Sequence, residues 1–286
     1  MQIFQYIADR LSAGENLALA TIVSRSGSAP RAAGSKMVVR QDGASLGTIG
    51  GGILEAQVQS LAQKAFAPGQ AMLKQFRLTN QDAGRMGQTC GGVVQILVQF
   101  LDAARPGALE LYRQVAAALD VRQPVWLITA LPSGLDVPEP SSQSLLTGEG
   151  AIMGDLNHQA VSALTAGVSA GQPEVLSYSA KPYLVEALFA AATVYIFGAG
   201  HVSQHLAPLA ARVGFHTVVL DDRPEFANRE RFPDADEIIV LDSFQRALER
   251  LDINADSYLV LVTRGHAHDQ TVLRQVLATP AGYIGM

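Results

Sequence analysis

The residues of this chain that could do chemistry gather in two glycine turns, one thiol and a histidine-bearing loop. Gly198-Ala199-Gly200-His201-Val202-Ser203 follows a short apolar run, Val194 to Phe197, and leads into a helical pattern. The first glycine permits a tight turn. The second lets a phosphate approach the backbone, and the helix start offers N–H groups and the positive end of its dipole. Ser203 stands where a third glycine would pack helix against strand, and it is small enough to do so. Asp221 follows about twenty residues on, at the end of the next strand, where an acid accepts from a ribose hydroxyl. Strand, glycine loop, helix, strand and acid in this order predict a site for a nucleotide or another phosphate. Arg223 either meets a 2′-phosphate or is a solvated loop charge, so NAD and NADP both stay open.

Gly50-Gly51-Gly52 opens a second helical pattern and is a second candidate anion cradle, with a tight packed turn as its alternative. Glu55 falls in the first turn of that helix, where a capping role is expected over a catalytic one. Arg31 and Lys36 flank Gly34-Ser35 and offer either cationic contacts to an oxyanion or plain surface charge. Cys90 follows a polar loop and precedes Gly91-Gly92, so its thiol is either an accessible nucleophile near Arg85 or a small buried hydrophobe. His201 and His205 have a helical spacing that can hold zinc, but Val202 stands where the zincin pattern needs Glu. Thr263-Arg264-Gly265-His266-Ala267-His268-Asp269 follows a strand and should lie at the ligand edge of a parallel sheet. His266 and His268 there bind a metal or a phosphate, or else Asp269 caps a helix beside a solvated loop.

Those groups need a scaffold. The chain has 286 residues, enough for about two domains. Apolar residues make up 48% and charged residues 16%, which excludes a disordered chain. A net charge of −5 with no basic run argues against nucleic-acid binding. One cysteine excludes a disulfide scaffold. The N-terminus has no secretory pattern, and the most apolar window, Ala187 to Gly200, reads as a helix end followed by a buried strand rather than a membrane span. A cytoplasmic location without membrane partners is therefore expected.

Apolar spacing predicts helices over 2–13, 53–66 and 109–119, and strands over 17–23, 36–40, 71–78, 93–101 and 125–131. Residues 132–144 read as loop, and 145–174 carry little pattern. From residue 193 strands and helices alternate: strands at 193–197, 216–220, 237–241, 258–263 and 282–285, helices at 202–213, 243–250 and 267–278. The fold class is α/β: an N-terminal mixed α/β domain, 1–185, followed by a Rossmann-like domain with a parallel sheet, 186–286.

Gly34-Ser35-Lys36-Met37, Gly47-Thr48-Ile49-Gly50-Gly51-Gly52 with Glu55, and Cys90-Gly91-Gly92 together resemble the N-terminal domain of the XdhC/CoxI family. Gly198-Ala199-Gly200-His201-Val202, Asp222-Arg223-Pro224-Glu225-Phe226-Ala227 and the 263–269 loop resemble that family's Rossmann domain. The resemblance implies an accessory factor for xanthine dehydrogenase or a related molybdenum hydroxylase, a maturation chaperone rather than a catalyst. It implies binding of the molybdenum cofactor, a phosphorylated pterin, help in replacing its oxo ligand by sulfide with a cysteine desulfurase as donor, and handover to the client. On that reading Gly198, Gly200 and His201 cradle the phosphate, and Cys90 approaches the molybdenum. Gly50, Gly51, Gly52, Asp221, Arg264 and His266 complete the candidate cofactor contacts. Family members run on beyond the Tyr-Ile-Gly-Met that ends this chain, so a shortened C-terminal domain is expected. A homodimer is the base-rate expectation.

Two other functions share these residues. An NAD(P)-dependent oxidoreductase would explain the fingerprint and Asp221, with His201, His266, His268 or Tyr258 as its proton donor. A nucleotide-sensing module would need no donor at all. The glycine triplet and Cys90-Gly91-Gly92 favour the accessory factor.

Overall fold

The apolar residues at 3, 4, 7 and 11 fall on one side of α1, Gln2–Ser12, and Ile7 and Leu11 are buried. This is seen in a computed structural model that describes residues 2–27, 29, 31–64, 69–78, 92–168, 172–189 and 191–286. The chain divides into two compact units, Met1–Ala190 and Ala191–Met286.

The first unit is built on two antiparallel sheets. β1 (Leu17–Gly27), β2 (Lys36–Arg40), β3 (Ser45–Gly47), β4 (Gln70–Leu78), β5 (Gly92–Leu101) and β7 (Glu139–Pro140) form one, ordered β3-β2-β1-β5-β4-β7. β6 (Val125–Ala130), β8 (Gln143–Thr147), β9 (Ile152–Gly154), β10 (Glu174–Tyr178) and β11 (Lys181–Leu188) form the other, ordered β10-β11-β6-β8-β9. Side chains alternate across a strand, so a strand covered on both faces reads as an unbroken apolar run. β1 shows this. Leu17 and Leu19 pack with α1 and with α3 (Ala108–Asp120), while Ala18, Ala20 and Ile22 pack with Leu54, Val58 and Ala62 of α2 (Gly52–Lys64). A short helix, α4 (His158–Thr165), is capped by the Asn157 side chain and lays Val161 and Leu164 against β6 and β11.

The second unit is a doubly wound half-fold. Its five parallel strands are β12 (Thr193–Phe197), β13 (His216–Asp221), β14 (Glu237–Val240), β15 (Ser257–Leu261) and β16 (Tyr283–Gly285), in the order β14-β13-β12-β15-β16. Val194 and Ile196 face Ala207 and Ala210 of α5 (His201–Arg212). Tyr195 and Phe197 face Val272 and Val276 of α6 (Asp269–Val276) on the other side. The chain leaves β12 towards β13 and returns to pair β15 on its opposite edge. The carboxyl ends of β12 and β15 therefore flank a topological switch point, the usual ligand position of an open α/β sheet. No described helix is long and apolar enough to cross a membrane.

Four expectations change. Residues before 190 are not a helix end: Glu186 and Ala187 lie in β11, paired with Leu127 and Trp126 of β6. Between two neighbouring strands β11 is apolar on both faces, which hides the period of two. The loop 132–144 contains β7 and the start of β8, short strands defined by ladder partners rather than by composition. The helix at 243–250 is reduced to the 3-10 turn Phe244–Arg246 and further turns. Bonds from Arg246 N to Ser243 O and Leu251 N to Leu248 O repeat every three residues and still seat Phe244, Ala247 and Leu251 in the core. Finally, Lys36 is neither a surface charge nor an oxyanion contact. It is buried, with Nζ 2.5 Å from the carboxylate of buried Glu186.

Candidate functional site

β12 ends at Gly198, whose φ of 111° lies where side chains are strained. A Cβ there would stand 2.4 Å from the carbonyl oxygen of Val262, just beyond β15. The glycine thus brings the β12 loop directly against the 263–269 loop. Ser203, in the third glycine position, is fully buried and donates its hydroxyl to Gly198 O, tying the first turn of α5 to the strand end. Gly200 is different. Its backbone is extended, it makes no side-chain cap, and nothing lies within 4 Å of where a Cβ would be. Above it the first N–H groups of α5 have no intrahelical partner. This is an open cradle for an anion. His201 begins α5, is exposed, and meets the His205 ring edge-on at 5.1 Å. Among the described residues no three His, Cys, Asp or Glu side chains gather to hold a metal ion.

Asp221 ends β13 with its side chain 1% exposed. Its Oδ2 accepts from Ala199 N at 2.7 Å and its Oδ1 from Arg223 N at 3.0 Å. The Arg223 guanidinium folds back onto both oxygens, Nε at 2.8 Å and Nη2 at 3.0 Å. Burial pushes Asp221 towards its neutral form, but the Arg223 fork and the two N–H groups outweigh it and hold the carboxyl below its ordinary range. The same fork raises Arg223. The guanidinium of Arg223 also lies 3.8 Å from the centre of the Phe226 ring, and that of Arg231 lies 4.8 Å from it. Nη2 of Arg231 reaches Ala199 O at 3.4 Å, so the sequence reading missed a second guanidinium at the glycine loop. It stands in a polar run without periodicity, and no sequence signal marks it.

In the facing loop, Asp269 Oδ1 accepts from the amide and hydroxyl of Thr263 at 3.1 and 2.5 Å. Its Oδ2 lies 2.7 Å from Nδ1 of His266. Burial opposes the charge on Asp269, yet these contacts lower its pKa. Arg264 is exposed, and the His266 side chain is 89% exposed. His268 stacks on Phe244 at 4.7 Å and is a packing residue.

The triplet Gly50-Gly51-Gly52 belongs to the first unit, where Gly50 N donates to Thr48 Oγ1 and Gly51 N to Glu55. One oxygen of Glu55 accepts from Thr48 Oγ1 at 2.5 Å, Ile49 N at 3.0 Å and Gly51 N at 2.8 Å. An internal carboxylate thus takes one N–H of the glycine triplet, and Glu55 is the cap that its position suggested. Burial raises its pKa, but these donors win and lower it. Glu55→Ala is expected to cost about 1–2 kcal/mol, the scale of a lost helix cap. A group with a lowered folded pKa stabilises fully above its unfolded value, about 4.3, and less as pH falls through the folded value. The gap between wild type and Glu55→Ala in urea melts should therefore be full at pH 7 and shrink as the pH falls through the lowered folded value. A gap that persists in acid would show that the carboxylate charge is not what caps the loop. Cys90 and the expected contact near it lie outside the described residues.

Residues 194–286 match the family model described as the XdhC Rossmann domain, and residues 10–77 match that of the XdhC and CoxI family. The chain belongs to the XdhC/CoxI family. The glycine loop, Asp221, Arg231 and the 263–269 loop fall in the XdhC Rossmann match, the Glu55-filled turn falls in the other, and Cys90 falls between them. The chain is 23% identical over its whole length to the uncharacterized protein YqeB of Escherichia coli (strain K12), but spans only 36% of that protein. It is 25% identical, over 95% of its length, to a protein of Bacillus subtilis (strain 168) described as a probable xanthine dehydrogenase subunit, 79% of which it covers. A crystal structure described as a xanthine dehydrogenase from Bacillus halodurans is similar with a TM-score of 0.78 at 24% identity, over 99% of this chain and 81% of that one. That likeness establishes the shared fold.

Proposed function

We propose that this XdhC/CoxI protein is an accessory factor for a molybdenum hydroxylase of the xanthine dehydrogenase kind, and that it holds the molybdenum cofactor by its phosphate. The observation that carries the reading is the open cradle at Gly200, where α5 presents N–H groups without intrahelical partners beside the Arg231 guanidinium. The B. subtilis relative's description as a xanthine dehydrogenase component supports the choice of client. The cradle residues fit the phosphate end of the pterin. When bound, the cofactor supplies a molybdenum centre whose oxo ligand is exchanged for sulfide. Gly198 and Ser203 hold the loop in shape, Gly200 leaves room for the phosphate, and His201 lies at its rim. Cys90 is proposed as the thiol near the metal, a cysteine desulfurase as the sulfur source, and a homodimer as the working form.

The test is anaerobic equilibrium binding of isolated molybdenum cofactor to the whole chain, with NADPH as competitor. Tight binding that NADPH does not displace is the expected result. Binding of NADPH without affinity for the cofactor would overturn the reading in favour of an oxidoreductase. Cys90→Ser is expected to lower both cofactor affinity and support of client activity. If the variant keeps both in full, the thiol has no part in the mechanism.

A further inference from the structure

The chain has 6 histidines, and most of their rings are engaged. His158 meets the Ser162 hydroxyl, His216 the Asp236 carboxylate and His266 that of Asp269, while His268 stacks on Phe244. His201 and His205 differ. Both are exposed in the first turns of α5, and among the described residues neither ring makes a hydrogen bond or an ion pair. The ring contact they do make is with each other, edge-on, with centres 5.1 Å apart.

Residues four apart on a helix lie one above the other on the same face. In the H-E-x-x-H pattern that spacing supplies two zinc ligands, and the glutamate is the general base rather than a ligand. Val202 in its place therefore removes the hydrolytic chemistry and leaves the two-nitrogen clamp. The ring separation suits such a clamp. Zinc sits about 2.0–2.1 Å from an imidazole nitrogen and hence about 3.2 Å from the ring centre, so two rings at a tetrahedral angle stand about 5 Å apart. Both histidines also ride on an anchored turn, because buried Ser203 between them donates to Gly198 O. The positive end of α5 opposes a cation by about fivefold at most, which two nitrogens acting together outweigh.

We propose that His201 and His205 chelate a divalent ion of the zinc kind on the exposed face of α5. No third His, Cys, Asp or Glu joins them among the described residues, so the remaining tetrahedral positions are open to water or to a small oxygen or sulfur donor. No carboxylate or carbonyl among the described residues backs either ring, and an ion held without that support exchanges readily. The site is an open, exchangeable one, unlike a closed structural zinc site. It stands apart from the accessory-factor reading, which sets molybdenum beside Cys90.

The experiment is calorimetric titration of the whole chain with Zn2+ alone, under reducing conditions, with thermal unfolding in parallel. Wild type should bind zinc, and zinc should raise its unfolding temperature, as any ligand of the folded state does. His201→Ala and His205→Ala should each weaken binding tenfold or more and abolish the shift. His205→Cys, which replaces one zinc ligand by another, should keep both. All three changes are at exposed positions, so the fold is preserved. The proposal is overturned if wild type binds no zinc, or if either alanine variant binds like wild type, because the ion then belongs to another site such as Cys90 or the His266–Asp269 pair. It is overturned as well if His205→Cys loses zinc along with His205→Ala, since the loss then does not follow the ligand. The molybdenum cofactor takes no part in this titration, so its failure and the failure of the accessory-factor reading are separate results.

Discussion

Glu186→Ala should destabilise the first unit by about 3–5 kcal/mol, the usual cost of leaving a buried charge without its partner. Lys36 on β2 and Glu186 on β11 come from the two different sheets of that unit, and both are buried, at 8% and 4% exposure. With Glu186 truncated, Nζ of Lys36 keeps, among the described residues, the Thr21 hydroxyl at 3.4 Å. Lys36→Met should cost a similar amount, because it strands the carboxylate instead. The double variant Lys36→Met/Glu186→Leu should recover most of the loss, since apolar pairs often replace buried ion pairs at little cost. Urea denaturation of the three variants at pH 7 measures this. Single variants within about 1 kcal/mol of wild type would mean that water reaches the pair and screens it.

Gly198→Ala and Gly200→Ala should part company just as widely. At Gly198 an alanine meets positive φ and the Val262 carbonyl at 2.4 Å, a contact with backbone that cannot rotate away. Backbone strain and overpacking together should cost about 2–6 kcal/mol. At Gly200 an alanine meets neither, because φ is −78° and the space is open. Stability there should stay within about 0.5 kcal/mol, as for a surface change. On the proposed function the Gly200 methyl would intrude on the phosphate, and phosphate affinity should drop by about tenfold or more, which is at least about 1.4 kcal/mol. Thermal unfolding and phosphate titration of the two variants, side by side, test the assignment. A Gly200→Ala protein that binds phosphate normally would move the ligand away from this loop.

The glycine loop was legible because its geometry is local: the strand, the turn and the helix start are contiguous in sequence. The alternation after residue 193 likewise announced a parallel sheet, because each strand–helix unit is short and repeats. What the sequence hid depends on partners far along the chain or on a side chain turning back. Asp221 was recognisable as the fingerprint acid, but nothing in Asp221-Asp222-Arg223 shows that the arginine folds onto it. Glu186 pairs with a lysine 150 residues away, so its apolar neighbourhood imitated a helix end. The Gly50-Gly51-Gly52 turn has the composition of an anion cradle, and only its hydrogen bonds show that Glu55 turns back to take the Gly51 N–H. Phe244, Ala247 and Leu251 keep helical spacing in a segment of 3-10 and irregular turns, because intervals of three and four residues suit both structures.

The strand order of the second unit also bears on how the site comes into being. β12 lies in the middle of its sheet, but its second neighbour, β15, is made some sixty residues later. The Gly198 turn is bonded to Leu220 O on one side and backed by Val262 on the other. Until β15 docks, half of that support is missing. Pairings between distant segments form late, after loop closure has been met. The cradle therefore takes shape only with the completed sheet. A nascent or partly unfolded chain lacks the second support of that turn, so the shape of the Gly198 turn reports that the whole unit has folded.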